Sequence, residues 1–200
     1  MYHKINTVIE SIKLDAIEAD RKVSLQLIID YIQGKKDADE EVNLNFICTH
    51  NSRRSQLSQV WGKVFSTYFN IPVNCFSGGV EVTAFNERAI LSLERFGFDI
   101  QKEGSGNWKC IVNYDYTAEA VVCFSKTVTD QANPTSKFAA IMTCDHADQN
   151  CPVVAGADAR LSFRFVDPKL YDETAMEHLM YDYRSFQIAT DLMYIFSMVK

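Results

Sequence analysis

Cys48, Arg54 and Ser55 stand at a spacing that could serve reaction chemistry, within the stretch FICTHNSRRSQ. An apolar run precedes this stretch and an amphipathic run follows it, which predicts a strand ending at Cys48 and a helix beginning near Arg54. Such a loop points several backbone N–H groups into one concavity, and the helix dipole adds positive potential there. A tetrahedral oxyanion fits that concavity. The alternative interpretation is that Cys48 is a buried core cysteine at a strand end and Arg54 an unrelated surface arginine.

Several side chains of this loop have the chemistry that an oxyanion site needs. A cysteine facing the concavity is favoured as the thiolate, which is its nucleophilic form. Arg54 offers a planar fork to two anion oxygens, and Ser55 could hydrogen-bond the thiolate and improve it as a leaving group. Asn51 tolerates the left-handed backbone of a tight loop. The predicted oxyanion-binding residues are Thr49, His50, Asn51, Ser52, Arg53 and Arg54.

Strand-like and helix-like segments alternate after residue 41, which predicts a parallel α/β sheet of about four strands flanked by helices. The predicted strands are VNLNFIC, PVNCFSGG, FAAIMTC and RLSFRFVDP. The predicted helices are SQLSQVWGKVFSTYF, NERAILSLERFGF and a long segment from Tyr171 to the C-terminus. Ligands bind beyond the carboxyl ends of the strands in open parallel sheets. Cys48, Cys144 and Asp167 are therefore expected to meet at one edge of the sheet.

Two regions fall outside this alternation. Residues 1–41 carry apolar side chains at helical spacing and predict a helical N-terminal extension to a catalytic domain of residues 42–200. The apolar stripe of the extension would pack on that domain or on a second subunit, which would make a homodimer. A segment of about residues 101–137 contains KCIVNYD and EAVVCFSK, two β-rich runs that predict an inserted β-hairpin.

The composition narrows the class of protein. A net charge of −6 argues against a general nucleic-acid binder, which would need a basic face. No stretch approaches the ~20 apolar residues of a membrane span, and the N-terminal residues lack the apolar core of a signal peptide. These features predict a cytoplasmic protein. Its six cysteines are then expected to serve catalysis, redox exchange, metal binding or core packing, not a disulfide scaffold.

The stretch FICTHNSRRSQ resembles the phosphate-binding loop of the low-molecular-weight tyrosine phosphatase superfamily, whose fold is flavodoxin-like. Cys48 matches the nucleophile of that loop, Asn51 its structural asparagine, Arg54 its oxyanion-binding arginine and Ser55 the serine that follows. Two positions depart from the family pattern. The residues there are His50, where the family usually has glycine, and Arg53, where it often has a second cysteine.

Two further stretches resemble parts of the same superfamily. FVDP matches its Asp-Pro pair, which implies that Asp167 is the acid/base residue. TCDHADQNCP is similar to a segment of the thioredoxin-coupled arsenate reductases, in which two cysteines flank an acidic polar loop, and Cys144 and Cys151 match those two cysteines. The resemblance implies reduction of arsenate to arsenite by Cys48, Cys144 and Cys151 in turn, with thioredoxin as reductant and a role in arsenic detoxification.

The resemblance also bears on cofactors. It implies no tightly bound cofactor, with arsenate, phosphate or sulfate held in the loop. A metal centre is not expected either, because the six residues between Cys144 and Cys151 do not suit a zinc hairpin. The potassium site of the family is only partly matched, because Gln59 stands where an acid would be expected beside Asn51 and Ser77.

Two other functions remain open. The first is a low-molecular-weight tyrosine phosphatase that works through a cysteinyl-phosphate, which would use Cys48, Arg54 and Asp167 and leave the downstream cysteines idle. The tyrosine phosphatases usually carry aromatic residues just after this Asp-Pro pair, whereas here only Tyr171 could stack on a substrate ring, and it comes late. The second is a non-catalytic module that binds or senses an oxyanion, if His50 and Arg53 have changed the loop.

Overall fold

The computed structural model describes residues 1–150 and 153–200, without the side chains of His146, Gln149 and Asn150. Six α-helices and seven strands are present in this part of the chain. The helices are α1 (His3–Ser11), α2 (Ala19–Asp37), α3 (Arg54–Tyr68), α4 (Glu87–Phe96), α5 (Asp145–Asn150) and α6 (Glu177–Met198). The strands are β1 (Val42–Cys48), β2 (Val73–Gly79), β3 (Asp99–Glu103), β4 (Lys109–Asn113), β5 (Val121–Cys123), β6 (Phe138–Met142) and β7 (Ala157–Ser162).

Four of the strands form the predicted parallel sheet, in the order β2-β1-β6-β7. The central strand β1 is buried along its whole length, as expected for a parallel strand covered on both faces. Its register places Cys48 opposite Gly79 and Ile47 opposite Met142. The loops that follow β1, β2 and β6 therefore open at the same edge of the sheet.

Two apolar clusters lie on the faces of this sheet. Alternate residues of β6 point to opposite faces, so Ala139 and Ile141 join a large cluster with α2, α3, α4 and α6. Ala140 and Met142 join a smaller cluster, which also contains Cys48, Cys144 and Ala147. The smaller cluster thus packs directly beneath the loops at the carboxyl edge.

The helix boundaries follow local capping chemistry. The side chain of Asn86 accepts a hydrogen bond from the N–H of Arg88 and begins α4, and Gly97, with φ of 102°, ends it. The predicted C-terminal helix begins only at Glu177, later than the sequence pattern suggested. A 3₁₀ turn over Pro168–Tyr171, capped by the Asp167 carboxylate, occupies the residues before it.

The N-terminal residues form α1 and α2, and their apolar side chains pack into the large cluster of the same chain. Ile5, Leu25 and Ile32 are completely buried. Arg21 of α2 donates to the buried Asp191 of α6 at 2.9 Å. The apolar stripe is therefore covered within the chain. None of the described helices has the length and hydrophobicity needed to cross a membrane.

The inserted segment forms a second, antiparallel sheet in the order β3-β4-β5. The predicted hairpin is present as β4 and β5. The prediction missed β3, because its sequence DIQKE is polar and mostly exposed and lacks an apolar pattern. After β5 the chain returns to the main sheet, where Thr127 bridges Gly79 at the end of β2.

Two other predicted boundaries need correction. The last strand of the parallel sheet is Ala157–Ser162, three residues earlier than the predicted RLSFRFVDP. The acidic stretch after Cys144, expected to be a loop, forms the short helix α5. Its start is favoured by Asp145 and Asp148 in its first turn, where carboxylates interact well with the helix dipole.

Candidate active site

The loop between β1 and α3 forms a cradle of backbone N–H groups. In the described part of the chain, no carbonyl or side chain accepts a hydrogen bond from the N–H groups of residues 50–55. Asn51 adopts the left-handed conformation that the sequence predicted, with φ of 45°, whereas His50 has no positive φ. A histidine in the glycine position therefore strains no backbone. The cradle has the donors that a tetrahedral oxyanion requires.

Cys48 ends β1 at the base of this cradle. Its Sγ lies 3.1 Å from Ser55 Oγ, and Asn51 Nδ2 donates to the same hydroxyl oxygen at 2.9 Å. Because that oxygen already accepts a bond from Asn51, the hydroxyl proton of Ser55 is free to point at the sulfur. The arrangement can stabilise a thiolate at Cys48, as the sequence suggested for Ser55.

Arg54 begins α3 and reaches across the edge of the sheet to the segment after β7. It donates from Nη1 to the carbonyl of Phe165 at 2.9 Å and from Nη2 to Asp167 Oδ2 at 2.6 Å. The other carboxylate oxygen of Asp167 accepts from the N–H of Lys169. The structure thus brings the predicted arginine and the predicted acid/base residue into contact beside the loop.

Arg53 has a different environment from its neighbour. Its Nε donates to the hydroxyl of Tyr181 at 2.9 Å, and this hydroxyl donates to Asp172 at 2.7 Å. The Arg53 guanidinium also lies 3.8 Å from Asp172 and 3.9 Å from Asp167. Arg53 therefore connects the loop between β1 and α3, called the oxyanion loop below, to the 167–172 segment and to α6.

His50 lies on the rim of the loop. Its side chain is 43% exposed, and its Nε2 lies 3.4 Å from Glu81 Oε2. Its carbonyl accepts hydrogen bonds from Ser125 and Thr83, at 2.9 and 3.3 Å. Ser125 belongs to the inserted segment, and the sequence assigned this serine no role at the loop. No sequence signal marked it, because the contact joins residues 75 positions apart.

Cys144 is buried two residues beyond the end of β6, the strand that pairs with β1. Its Sγ lies 3.7 Å from Thr49 Oγ1 and accepts from the N–H of Ala147 at 3.4 Å, in the first turn of α5. The structure therefore places a second thiol next to the oxyanion loop. Cys151, the predicted third thiol, lies outside the described residues.

The other three described cysteines, Cys75, Cys110 and Cys123, are held as thiols by burial. Burial raises the pKa of Cys110 to about 11 and the pKa values of Cys75 and Cys123 to about 12. A cysteine held as a thiol is a poor nucleophile. These three residues belong to or pack against the large apolar cluster.

The residues of the partly matched potassium site form hydrogen bonds with other protein groups. Ser77 donates to Gln59 Oε1 at 2.6 Å, and Asn51 Oδ1 accepts from the N–H of Lys126 at 2.9 Å. Nothing in the described residues supports a potassium ion there. Among the same residues, no three His, Cys, Asp or Glu side chains cluster closely enough to hold a metal ion.

Comparison with characterised proteins finds relatives by sequence. No family model matches the chain. An arsenate reductase of Brevibacillus brevis is 28% identical over 130 residues, which are 65% of this chain and 79% of that protein. An arsenate reductase of Bacillus cereus is 27% identical over the same length and the same shares.

Solved structures share the fold at low identity. A low-molecular-weight phosphotyrosine phosphatase of Vibrio cholerae has a TM-score of 0.51 at 12% identity, and the match covers 77% of this chain and 93% of that one. An arginine phosphatase of Geobacillus stearothermophilus has a TM-score of 0.51 at 14% identity, covering 78% and 91%. An arsenate reductase solved with phosphate bound has a TM-score of 0.50 at 16% identity, covering 80% and 100%. The chain is therefore related in sequence to arsenate reductases and has the fold of the low-molecular-weight phosphatase superfamily.

Proposed function

We propose that this enzyme is an arsenate reductase in which Cys48 is the nucleophile and Cys144 and Cys151 form a thiol relay. The observation that carries the proposal is the position of Cys144, a second thiol at the end of the strand next to Cys48. Hydrolysis of a phosphate ester would not need it. The sequence relatives are arsenate reductases, which supports the same reaction.

The first step would use the oxyanion loop. Arsenate binds to the N–H groups of residues 50–55 and to Arg54, and the Cys48 thiolate attacks arsenic. Asp167 gives a proton to the departing oxygen, which leaves as water. Arg54 is already held against this carboxylate, so the anion binder and the proton donor are within reach of the same arsenic oxygens.

The next steps would move two electrons from sulfur to arsenic. Cys144, as a thiolate, attacks the sulfur of Cys48, and the electron pair of the sulfur–arsenic bond passes to arsenic. Arsenite, As(III), leaves, and Cys48 and Cys144 are joined by a disulfide. Cys151 then attacks the sulfur of Cys144, which releases Cys48 as a thiolate and forms a disulfide between residues 144 and 151.

The relay would need α5 to rearrange. Cys144 is buried beneath the first turn of this six-residue helix, and the helix is held by ion pairs from Arg160 to Asp148 and from Arg164 to Asp145. A helix of only six residues opens at low cost. Its opening would carry the 144–151 disulfide to the surface, where a dithiol protein of the thioredoxin class would reduce it.

The proposal also assigns regions and a compartment. Residues 42–200 would form the catalytic domain, interrupted by the insertion of about residues 101–137, and residues 1–41 would extend it. The relay needs thiols that are kept reduced between cycles, a condition that the cytoplasm meets.

The test is turnover by the reduced protein with arsenate, thioredoxin, thioredoxin reductase and NADPH. We expect Cys48→Ser, Cys144→Ser and Cys151→Ser each to abolish sustained NADPH oxidation. Cys144→Ser should still bind arsenate, because the loop and Arg54 are unchanged. Cys110→Ala is the matched control, since it removes a buried cysteine remote from the loop, and it should retain turnover. Sustained arsenite formation by Cys151→Ser would contradict the relay.

A phosphatase is the second candidate, and one feature favours it. A groove of about 420 Å³ opens beside the loop, lined by residues that include His50, Arg53, Trp108 and Lys169. It offers room for an organic leaving group next to the oxyanion site. Hydrolysis of p-nitrophenyl phosphate that is lost in Cys48→Ser and kept in Cys144→Ser, without arsenate turnover, would establish this function. A protein that binds phosphate but neither reduces arsenate nor hydrolyses p-nitrophenyl phosphate would be a binding module.

A further inference from the structure

A buried serine of the inserted segment is bonded on every side at the oxyanion loop. Ser125 is 1% exposed. Its hydroxyl donates to the carbonyl of His50 at 2.9 Å and accepts from the N–H of Thr83 at 2.9 Å. The side chain of Asn107 bonds both to the N–H and to the carbonyl of Ser125, at 3.0 and 2.7 Å. The position of the hydroxyl is thus fixed from the inserted segment.

This contact fixes the direction of one N–H group of the cradle. The carbonyl of His50 and the N–H of Asn51 belong to the same planar trans peptide and point in opposite directions. Since Ser125 holds the carbonyl on the outside of the loop, the N–H of Asn51 must face the concavity. The preceding peptide is held in the same way, because the N–H groups of Val80 and Glu81 both donate to the carbonyl of Thr49 at 2.8 Å.

A second contact of the inserted segment reaches the nucleophile. The backbone N–H of Lys126 donates to Asn51 Oδ1 at 2.9 Å. A backbone N–H can only donate, so the oxygen of the Asn51 amide faces Lys126 and its NH₂ group faces Ser55, at 2.9 Å from Oγ. Ser55 then directs its own proton to Cys48 Sγ, 3.1 Å away.

We propose that the inserted segment positions the catalytic loop: Ser125 orients the N–H of Asn51 toward the oxyanion, and Lys126 orients the amide that aligns Ser55 with the Cys48 thiolate. Ser125 and Asn107 are then positioning residues, since they touch neither the anion nor the sulfur. The inference rests on the proposed function in so far as it takes Cys48 and its loop as the reactive centre.

The test compares Ser125→Ala with the wild-type protein in two measurements on the reduced full-length chain. Inorganic phosphate is the probe for the cradle, measured by calorimetry. Alkylation of Cys48 by iodoacetamide, followed by peptide mass spectrometry from pH 5 to 9, is the probe for the thiolate. Ser125→Ala leaves the His50 carbonyl with only the longer hydrogen bond from Thr83, and we expect phosphate binding to weaken by about tenfold. The alkylation profile should move to higher pH, by about one pH unit.

Three further variants separate positioning from general stability. Ser125→Thr keeps the hydroxyl and should restore both measurements to near the wild-type values. Asn107→Ala alters an exposed residue, so it should fold even if Ser125→Ala does not, and it should shift both measurements in the same direction. Asp115→Ala is the matched control. It removes bonds to the N–H groups of Thr117 and Ala118 at the far end of the inserted sheet, and it should lower the melting temperature only.

The outcomes are distinct. Wild-type phosphate affinity and an unchanged alkylation profile in both Ser125→Ala and Asn107→Ala would overturn the inference while leaving the proposed function intact. Shifts of equal size in Asp115→Ala would also overturn it, because they would show a general effect of destabilising the insertion. A wild-type protein that binds no phosphate and no arsenate would overturn the proposed function and this inference together.

Discussion

At the scale of single residues, Lys126 shows how a side chain and its own backbone can have separate roles. Its N–H contacts Asn51 in the loop between β1 and α3, whereas the residue is only 3% exposed, with Nζ 4.6 Å from the centre of the Phe124 ring. No carboxylate among the described residues forms an ion pair with this amine. Burial consequently lowers the pKa of Lys126, because an unpaired charge is poorly solvated there.

We expect Lys126→Met to raise the free energy of unfolding by about 1–2 kcal/mol at pH 7, since a methionine of similar length avoids burying the amine. The wild-type pKa lies below its ordinary value of 10.5, so the unfolded state binds more protons between the two values. Wild-type stability therefore rises with pH through that interval. The advantage of the variant should shrink as the pH approaches 10.

Urea denaturation at pH 7 and pH 9.5 measures this effect. Phosphate binding provides the internal control, because Lys126→Met retains the backbone N–H and should keep wild-type affinity. A variant that is less stable than the wild type at both pH values would contradict the prediction.

Tyr181 is a second residue with a measurable role. Its buried hydroxyl joins Arg53 to Asp172, and burial and Asp172 raise its pKa. Tyr181→Phe removes the hydroxyl that accepts from Arg53 Nε and donates to Asp172. The segment that carries Asp167 is then held less firmly. We expect kcat to fall several-fold with little change in KM, because the proposed proton donor, Asp167, is displaced and the anion cradle is kept. Steady-state kinetics checks this, and an unchanged kcat would contradict it.

At the scale of elements, the N-terminal helices are part of the wall behind the active site. The Arg21 guanidinium pairs with the buried Asp191 of α6 and lies 4.8 Å from the centre of the Phe165 ring. The carbonyl of Phe165 in turn accepts from Arg54. The N-terminal helices are thus linked to Arg54 through one aromatic residue.

Arg21→Met should destabilise the protein by about 3 kcal/mol, because it leaves a buried carboxylate without its partner. Burial already raises the pKa of Asp191 above its ordinary value of 3.8, and losing Arg21 raises it further. A raised carboxyl pKa means that the folded state holds its proton more tightly, so stability falls as pH rises through this interval. The loss should therefore be largest at neutral pH and smaller near pH 4.

Urea denaturation of Arg21→Met and of Arg21→Met/Asp191→Asn measures the effect at both pH values. The double variant should recover most of the stability at pH 7, since the amide carries no charge. Equal losses in the single and double variants would show that Arg21 acts through packing on the aromatic rings alone.

At the scale of the whole molecule, one apolar cluster joins the extension, the parallel sheet and the inserted sheet. Ile5, Phe46 and Val112 come from these three parts and belong to the same cluster. Tyr2 also donates from its N–H to the carbonyl of Tyr114, beside the inserted sheet. Shared burial of this kind predicts that the three parts unfold together.

The two tryptophans allow a direct check. Trp61 is buried in α3, and Trp108 precedes β4 in the inserted segment. In Trp61→Phe, the fluorescence of Trp108 reports on the inserted sheet while far-UV circular dichroism reports on the whole chain. The two urea transitions should coincide. An earlier fluorescence transition would show that the inserted sheet unfolds independently.

The parts of the protein that depend on local pattern could be predicted from the amino-acid sequence. Apolar periodicity located β1, α3, α4 and the hairpin of β4 and β5. The spacing of Cys48, Asn51, Arg54 and Ser55 identified the loop. A strand, a tight turn and a helix start each depend on residues that are close together in the sequence. The parallel sheet followed from alternation, and with it the meeting of Cys48, Cys144 and Asp167 at one edge.

The residues that surround that loop could not be predicted, because they come from distant parts of the chain. The polar strand β3 carries no apolar pattern, so pairing with β4 alone creates it. Arg53 hydrogen-bonds to Tyr181, 128 residues away in the sequence. Ser125 and Lys126 of the inserted segment hydrogen-bond to the loop. Local sequence encodes secondary structure and turns, whereas these hydrogen bonds join polar residues far apart in the chain, whose encounter depends on how the elements pack.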